Sequence, residues 1–166
     1  MESEAKDYWK LFKPAACSIR LKGATQAEVF DELVENLVKG KALDSALREA
    51  ARAALLQREA IASTGIGQNV AIPHVKIIGL EEAVVSLSIH PTGVDWHSLD
   101  GEPVRILFTV LRPERAGDRH DPDRHLEMMR WISSLGREAD FRRFAMGVTN
   151  RTELVALLRE MSQVGH

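Results

Sequence analysis

Apolar residues recur along the chain at two periods, and the changes of period divide it into elements. Val29, Phe30, Leu33, Val34, Leu37 and Val38 return every three or four positions, the spacing of one helical face. Thr25 with Glu28 three residues later is a capping-box pattern at the start, and Gly40 is placed to stop the helix. Asp44 and Ser45 offer a cap for a second helix. Its stripe is Leu47, Ala50, Ala51, Ala54 and Leu55, and it runs to about residues 58–60. Beyond residue 70 the pattern turns to short β-type runs. Val70-Ala71-Ile72 precedes Pro73, residues 83–90 alternate in part, and residues 104–111 are an apolar run between Pro103 and Pro113. Their length and β-branched content predict buried strands. Pro91-Thr92-Gly93 and Leu99-Asp100-Gly101 predict turns. A short extended stretch, Ser18-Ile19-Arg20-Leu21, precedes the first helix.

Past a charged, Pro-containing loop over residues 112–124 the helical period returns. Leu126, Met129 and Ile132 with Met128, Trp131 and Leu135 predict one wide apolar face. Phe141 and Phe144 share a side of a short helix over residues 138–146. Asn150 and Glu153 cap a last helix carrying Leu154, Val155, Leu157, Leu158 and Met161. The order β-α-α-β-β-β-α-α-α predicts an α/β fold: a three-layer α/β/α sandwich around a small mixed sheet.

Composition narrows the function classes. A chain of 166 residues predicts one domain, here residues 1–166 with a core over residues 11–161. Lys and Arg number 22 against 24 Asp and Glu, so the basic footprint of a nucleic-acid binder is missing. The single cysteine, Cys17, excludes an intramolecular disulfide and a Cys-based zinc site, and reads as a small buried hydrophobe. His90, His97, His120, His125 and His166 with Asp118, Asp121 and Asp123 raise a metal reading, but His120 and His125 miss the i,i+4 spacing that shares a helix face. The expectation is no metal and no cofactor. The charged amino terminus is no signal peptide and no apolar run nears the ~20 residues that span a bilayer, so a soluble cytoplasmic protein without membrane insertion is expected. Trp96 and Trp131 read as packing residues, and Tyr8 and Trp9 as anchors of the amino-terminal segment. The apolar strands leave a weak homodimer open.

Candidate chemistry is concentrated in Ser63-Thr64-Gly65-Ile66-Gly67-Gln68-Asn69-Val70-Ala71-Ile72-Pro73-His74-Val75-Lys76. Gly65 and Gly67 allow close backbone approach, and free amides in such a loop can form an anion nest. The Gly-Lys-Ser/Thr end of a P-loop is missing. Pro73 stiffens the backbone ahead of His74, and in extended geometry Lys76 shares its face. A neutral imidazole is a competent nucleophile, acid or base, and a nearby cation would stabilise a phosphoryl group. On residue types alone, a plain turn carrying a surface histidine accounts for the same string.

The Arg58-Glu59 pair, the Ser63-Thr64-Gly65-Ile66-Gly67 run and the Ala71-Ile72-Pro73-His74-Val75-Lys76 run together resemble the type-2 enzyme IIA domain of the bacterial phosphoenolpyruvate-dependent phosphotransferase system, the fructose/mannitol/nitrogen-regulatory class. The resemblance covers residues 11–161. It implies that His74 accepts a phosphoryl group on Nε2 from the carrier protein HPr and passes it on, as a phosphotransferase component. It further implies that Arg58 steadies the phosphoryl charge and that a second histidine before Leu at a helix start orients it. His125-Leu126 matches that second position, with His120 as competitor. Thr64 and Ser63 are expected beside the phosphate or as caps of the preceding turn. Gly65, Gly67 and Lys76 are expected to bind phosphate or partner. Glu59 accompanies Arg58 in the family pattern. Val75 stands where the family often has glycine, which would narrow a partner's approach. The resemblance implies an HPr-like donor and either an enzyme IIB or a regulatory target as partner. The chain's length matches one such unit without a IIB or IIC segment, which favours a stand-alone, nitrogen-type regulator over a sugar-specific component.

Overall fold

Helix α1 (Gln26–Lys39) begins at Thr25, whose hydroxyl oxygen accepts the Glu28 amide at 3.2 Å. It buries Val29, Phe30, Leu33, Val34 and Leu37 in the computed structural model, which describes residues 7–163. Gly40 ends α1, but not through left-handed backbone: its φ is −78°, and Lys41 takes the positive value of 60°. Glycine is needed at 40 because a Cβ there would stand 2.7 Å from the Ala15 carbonyl. Asp44 caps a single 3-10 turn, Ser45–Leu47, by accepting the Ala46 amide at 2.9 Å. Helix α2 (Arg48–Ile61) follows it.

The sheet contains β1 (Gly65–Gly67), β2 (Val70–Ala71), β3 (His74–Ile77), β4 (Val84–Val94) and β5 (Val104–Pro113). Strand β5 is its axis. β4 pairs antiparallel with one edge, while β2 and β3 lie end to end along the other, both parallel to β5. Side chains alternate on β5 with period two. Ile106, Phe108 and Val110 face one core, Leu107 and Leu111 the other. The second core is covered by α1 and α2. The first is covered by α3 (Pro122–Gly136), α4 (Ala139–Gly147), α5 (Arg151–Gln163) and the amino-terminal turns. This is the three-layer arrangement around a mixed sheet that the element order predicts. Tyr8 and Phe12 pack their rings on Trp131, and Trp96 is fully buried against Phe30. Cys17 is buried, and burial pushes its thiol up to about 11. Among the described residues no helix is long and apolar enough to cross a membrane.

Three local expectations differ from the structure. The first strand is reduced to a bridge, Ser18 against Ser88 of β4, because the Arg20 amide turns back to the Ser18 hydroxyl. The turn expected at Pro91-Thr92-Gly93 is instead an irregular stretch inside β4. Buried His90 holds it there: Nδ1 accepts the Gly93 amide at 2.9 Å, and Nε2 donates to the Gly23 carbonyl at 2.8 Å. The third difference lies on α3. Met128, Trp131, Ile132 and Leu135 are buried, but Leu126 is half-exposed and Met129 only partly covered, so the expected single face is two.

Candidate functional site

Everything at the site follows from how the segment between α2 and β3 is pinned. Glu59, in the last turn of α2, grips Thr64 twice: Oε2 accepts the Thr64 amide at 2.8 Å and Oε1 accepts its hydroxyl at 2.6 Å. The same hydroxyl oxygen accepts Trp96 Nε1–H at 3.0 Å. Next, β1 turns into β2 through Gln68 and Asn69, both with positive φ, 56° and 71°. That is the geometry of a tight hairpin whose twist matches its strands. The Gln68 amide donates to Asp100 Oδ2 at 2.8 Å, and the backbone bonds from Gln68 and Glu102 hold the Asp100 carboxyl below its usual range. A Cβ on Gly65 would stand 2.0 Å from Ser98 Oγ. Thr64, Gly65 and Gly67 thus dock the segment onto the loop carrying Trp96, Ser98 and Asp100. Neither groove that reaches His74 is lined by them. Ser63 likewise turns inward, donating its hydroxyl to the Trp96 carbonyl at 2.8 Å.

His74 opens β3. The burial alternation along the strand puts His74 and Lys76 outward and Val75 and Ile77 inward, so Val75 joins the core against α1 and α2. His74 Nδ1 lies 3.0 Å from the Ile72 carbonyl oxygen. A carbonyl can only accept, so Nδ1 carries the proton and Nε2 keeps its lone pair. Pro73 has no amide to compete for that carbonyl's neighbourhood, and its own carbonyl accepts the Val110 amide at 2.9 Å. The backbone thereby selects which ring nitrogen is left unbonded.

Two grooves meet at His74. One, of about 380 Å³, runs past Arg58, Ile61, Lys76 and Arg112. The other, of about 790 Å³, runs along α3 past His125 to Arg137. Arg58 Nη1 donates to the Ala62 carbonyl at 2.7 Å, which ties the guanidinium to the end of α2. Arg112 belongs to both grooves and stands opposite Lys76 in the parallel ladder. Like charges directly opposite one another in a sheet repel, so this pair favours an anion between them. Around His74 the structure brings together Arg58, Lys76, Arg112 and His125.

Of the two candidate histidines, His125 shares the groove with His74. His120 lies behind it in a separate cavity of about 140 Å³, ring centroids 5.3 Å apart. His125 sits in the first turn of α3, its amide donating to the Asp121 carbonyl at 2.9 Å. Burial, then His120, Arg112 and His74, lower its pKa to about 4, so the ring is neutral near pH 7. Its Nε2 and that of His120 are buried without a hydrogen-bond partner among the described residues. Among those residues no three His, Cys, Asp or Glu side chains converge as metal ligands.

Sequence reasoning missed Arg112, Arg130 and Arg137, and the Glu59 clamp. Arg112 was legible as a cation closing an apolar strand at its carboxyl end, where ligands of open α/β sheets gather. The clamp leaves no periodic signal, since it joins a helix to an irregular loop.

Residues 10–161 match the family model for the phosphoenolpyruvate-dependent sugar phosphotransferase system, EIIA 2. The chain is 33% identical over 130 residues to a nitrogen regulatory protein of Bradyrhizobium diazoefficiens, covering 78% of this chain and 80% of that one. It is 28% identical over 142 residues to a fructose-specific EIIABC component of Bacillus subtilis, covering 86% of this chain but only 21% of the relative's length. A nitrogen regulatory protein of Pseudomonas aeruginosa is 38% identical over 88 residues, 53% of this chain and 54% of its own. The chain therefore spans about a fifth to a half of two of these relatives. Among solved structures, the nitrogen regulatory protein IIA-Ntr of Neisseria meningitidis superposes with a TM-score of 0.79 at 25% identity, covering 90% of this chain and 97% of that one. The mannitol IIA of Escherichia coli shares the fold, with a TM-score of 0.64 at 20% identity over 87% and 96% of the two chains. A match of that extent, laid over a fold with the same layers, means that the chain belongs to the EIIA 2 family of the phosphoenolpyruvate-dependent sugar phosphotransferase system.

Proposed function

We propose that the protein is a phosphoryl carrier that works through His74. The observation carrying this reading is the Nδ1–H donated to the Ile72 carbonyl, which leaves Nε2 as a free lone pair in a cationic opening. In the forward step the Nε2 lone pair attacks phosphorus of a phosphorylated HPr-type carrier. A P–N bond forms on His74, and the bond from phosphorus to the donor breaks, its electron pair leaving with the donor. The ring gains positive character, which the Ile72 carbonyl stabilises through Nδ1–H. Phosphoryl transfer asks the protein for position and charge rather than covalent help. Arg58, Lys76 and Arg112 supply charge to the equatorial oxygens. Neutral His125 serves as a positioning group that adds no further positive charge. In the return step a nucleophile of a IIB-type protein takes the phosphoryl, and the electron pair of the P–N bond returns to Nε2. Thr64, Gly65 and Gly67 act indirectly in this reading, by fixing where β3 begins.

The relatives named nitrogen regulatory proteins, and the higher TM-score to IIA-Ntr, favour a second reading of the same chemistry. There the phosphoryl group is a switch, adding about −1.5 to −2 charge that admits one partner protein and dismisses another. The test is labelling with phosphoenolpyruvate, enzyme I and HPr. The expected result is one acid-labile label on wild type and none on His74→Ala. Equal labelling of that variant, or no label on wild type, overturns the carrier reading. For the switch, free and phosphorylated forms are expected to retain different partners in pull-downs, and an identical set counts against it.

A further inference from the structure

His120 has no part in the chemistry of His74 described so far, yet its surroundings are unusual for a histidine. It is 5% exposed, and its Nε2 is buried without a hydrogen-bond partner among the described residues. The Nε2 of His125 is in the same condition. Buried polar groups are nearly always hydrogen-bonded, so two orphaned nitrogens side by side call for a common explanation. The rings meet edge to face with centroids 5.3 Å apart, and both line the cavity of about 140 Å³ behind the groove that reaches His74. His125 lines that groove as well, and among the described residues no other side chain lines both.

Local structure puts His120 there. The backbones of Gly117 and His120 exchange two hydrogen bonds, of 3.1 and 3.2 Å. Asp121 then caps α3 by accepting the Asp123 amide at 3.0 Å. His120 thus stands one residue ahead of the cap, outside the helix, while His125 lies in its first turn. A separation of five, which parts two residues on one helix, joins them across its start. The other polar groups lining the cavity are engaged or of the wrong kind. Arg119 is exposed and pairs with Glu81 at 3.4 Å, and Arg124 is exposed over the Tyr8 ring. The Tyr8 hydroxyl lies 3.5 Å from the Arg124 carbonyl and from the Glu127 carboxylate, to which it donates. Glu82 and Asp121 are carboxylates, which when ionised only accept. His120 Nε2 is the buried donor left for His125.

The consequence is for the tautomer of His125. An atom closed off from solvent cannot bond an anion in the groove, so only Nδ1 of His125 is left to donate to a phosphoryl group on His74. A neutral imidazole carries one proton. Nδ1–H therefore requires a lone pair on Nε2, and a buried lone pair requires a donor. Arg112, itself a donor lining the same groove, favours the opposite tautomer, so the bias has to come from the buried side. We propose that His120 is a positioning residue that fixes His125 as the Nδ1–H tautomer, its own Nε2–H reaching His125 Nε2 across one water in the shared cavity. The cavity has room for that water, and two ring nitrogens are partners enough to hold it. The proposal rests on the reading of His74 as the phosphoryl acceptor. The bond made by the buried nitrogen of His125 decides which proton its open nitrogen offers, so a group that never meets the phosphate orients the ring that does.

The test reads ring tautomers from the imidazole nitrogen shifts of isotope-labelled protein at about pH 7. Wild type is expected to show His125 as Nδ1–H and His120 as Nε2–H. His120→Phe keeps a ring in the cavity but no donor, and is expected to move His125 towards Nε2–H. It should also lower the maximal rate of phosphoryl transfer from a phosphorylated HPr-type carrier about ten-fold, with the half-saturating carrier concentration unchanged. His120→Gln restores an N–H donor near the reach of Nε2 and should recover most of both. A packing role alone would move neither the shifts nor that split. His125 found as Nε2–H in wild type overturns the inference. So does an unmoved His125 tautomer in His120→Phe, a rate loss that His120→Gln leaves in place, or a change confined to the half-saturating concentration. The wild-type spectrum decides without any variant, so a His120→Phe protein that fails to fold does not protect the inference. Wild type that shows the expected tautomers but takes no phosphoryl label refutes the carrier reading alone. Label on His74 with His125 as Nε2–H refutes the role of His120 alone.

Discussion

His125 gives the folded state a pH dependence whose sign and size follow from its surroundings. The imidazole is half-buried at the start of α3, and burial is the largest cause of its low pKa, followed by the fields of His120, Arg112 and His74. In the unfolded chain the same ring titrates near 6.5; in the native protein it titrates at about 4. Between those values the unfolded chain binds a proton that the folded one refuses, so stability is full above about pH 6.5 and drains as pH falls towards 4. At 1.36 kcal/mol per pKa unit the difference is worth about 3 kcal/mol, and water screening at a half-exposed ring cuts this to about 1–1.5 kcal/mol. We expect urea unfolding at about pH 7 and about pH 5 to show a stability loss in wild type that exceeds the loss in His125→Asn by about 1 kcal/mol. Asp100 and Glu153, whose carboxyls are held low by backbone bonds, are common to both proteins and cancel in that comparison. The His125 ring signal should titrate well below the usual histidine range. An equal pH loss in the two proteins, or a ring titrating near 6.5, would refute the argument and with it the neutral role assigned to His125.

Three further outcomes test other links. Arg112→Met is expected to raise the His125 midpoint, read by the same ring titration, because one of its named causes is removed; an unmoved midpoint would place Arg112 outside the site's field. Glu59→Ala leaves the Thr64 amide and hydroxyl without their carboxylate and should cost about 2–3 kcal/mol in urea unfolding; a loss under about 0.5 kcal/mol would mean that the clamp does not hold the segment before β3. Gly65→Ala drives a methyl into Ser98 Oγ and should cost about 1–3 kcal/mol, recovered in part by adding Ser98→Gly; no recovery would point to the backbone of β1 rather than to that clash.

The helices were the most legible part of the fold. Capping and amphipathic period are local, and the Thr25 and Asn150 caps both stand where their sequence signals put them. Strand β5 was legible for the same reason, being bounded by Pro103 and closed near Pro113. The hairpin of β1 and β2 was not, since Gln68 is an unusual residue for positive φ and no glycine stands at the turn. The continuation of β4 through Pro91 was illegible too, because a buried histidine bonded to the carbonyl of Gly23, 67 residues away in sequence, holds it.

By itself the sequence determined the layers and singled out His74 as the candidate for the chemistry, because hydrophobic period, caps and the Pro-His pair act over a few neighbouring positions. Which ring nitrogen of His74 is free, and which second histidine stands beside it, were decided only by tertiary structure. Those properties belong to groups separated along the chain, the Ile72 carbonyl under one ring and the first turn of α3 beside it. The same holds for the glycine-rich run. Its residues suggest an anion cradle, yet packing spends them on Glu59, Ser98 and Asp100, and it assembles the cationic opening from Arg58, Lys76 and Arg112 on three different elements. Electrostatic fields and close approach act through space, and only the folded chain brings those charges within reach of one imidazole.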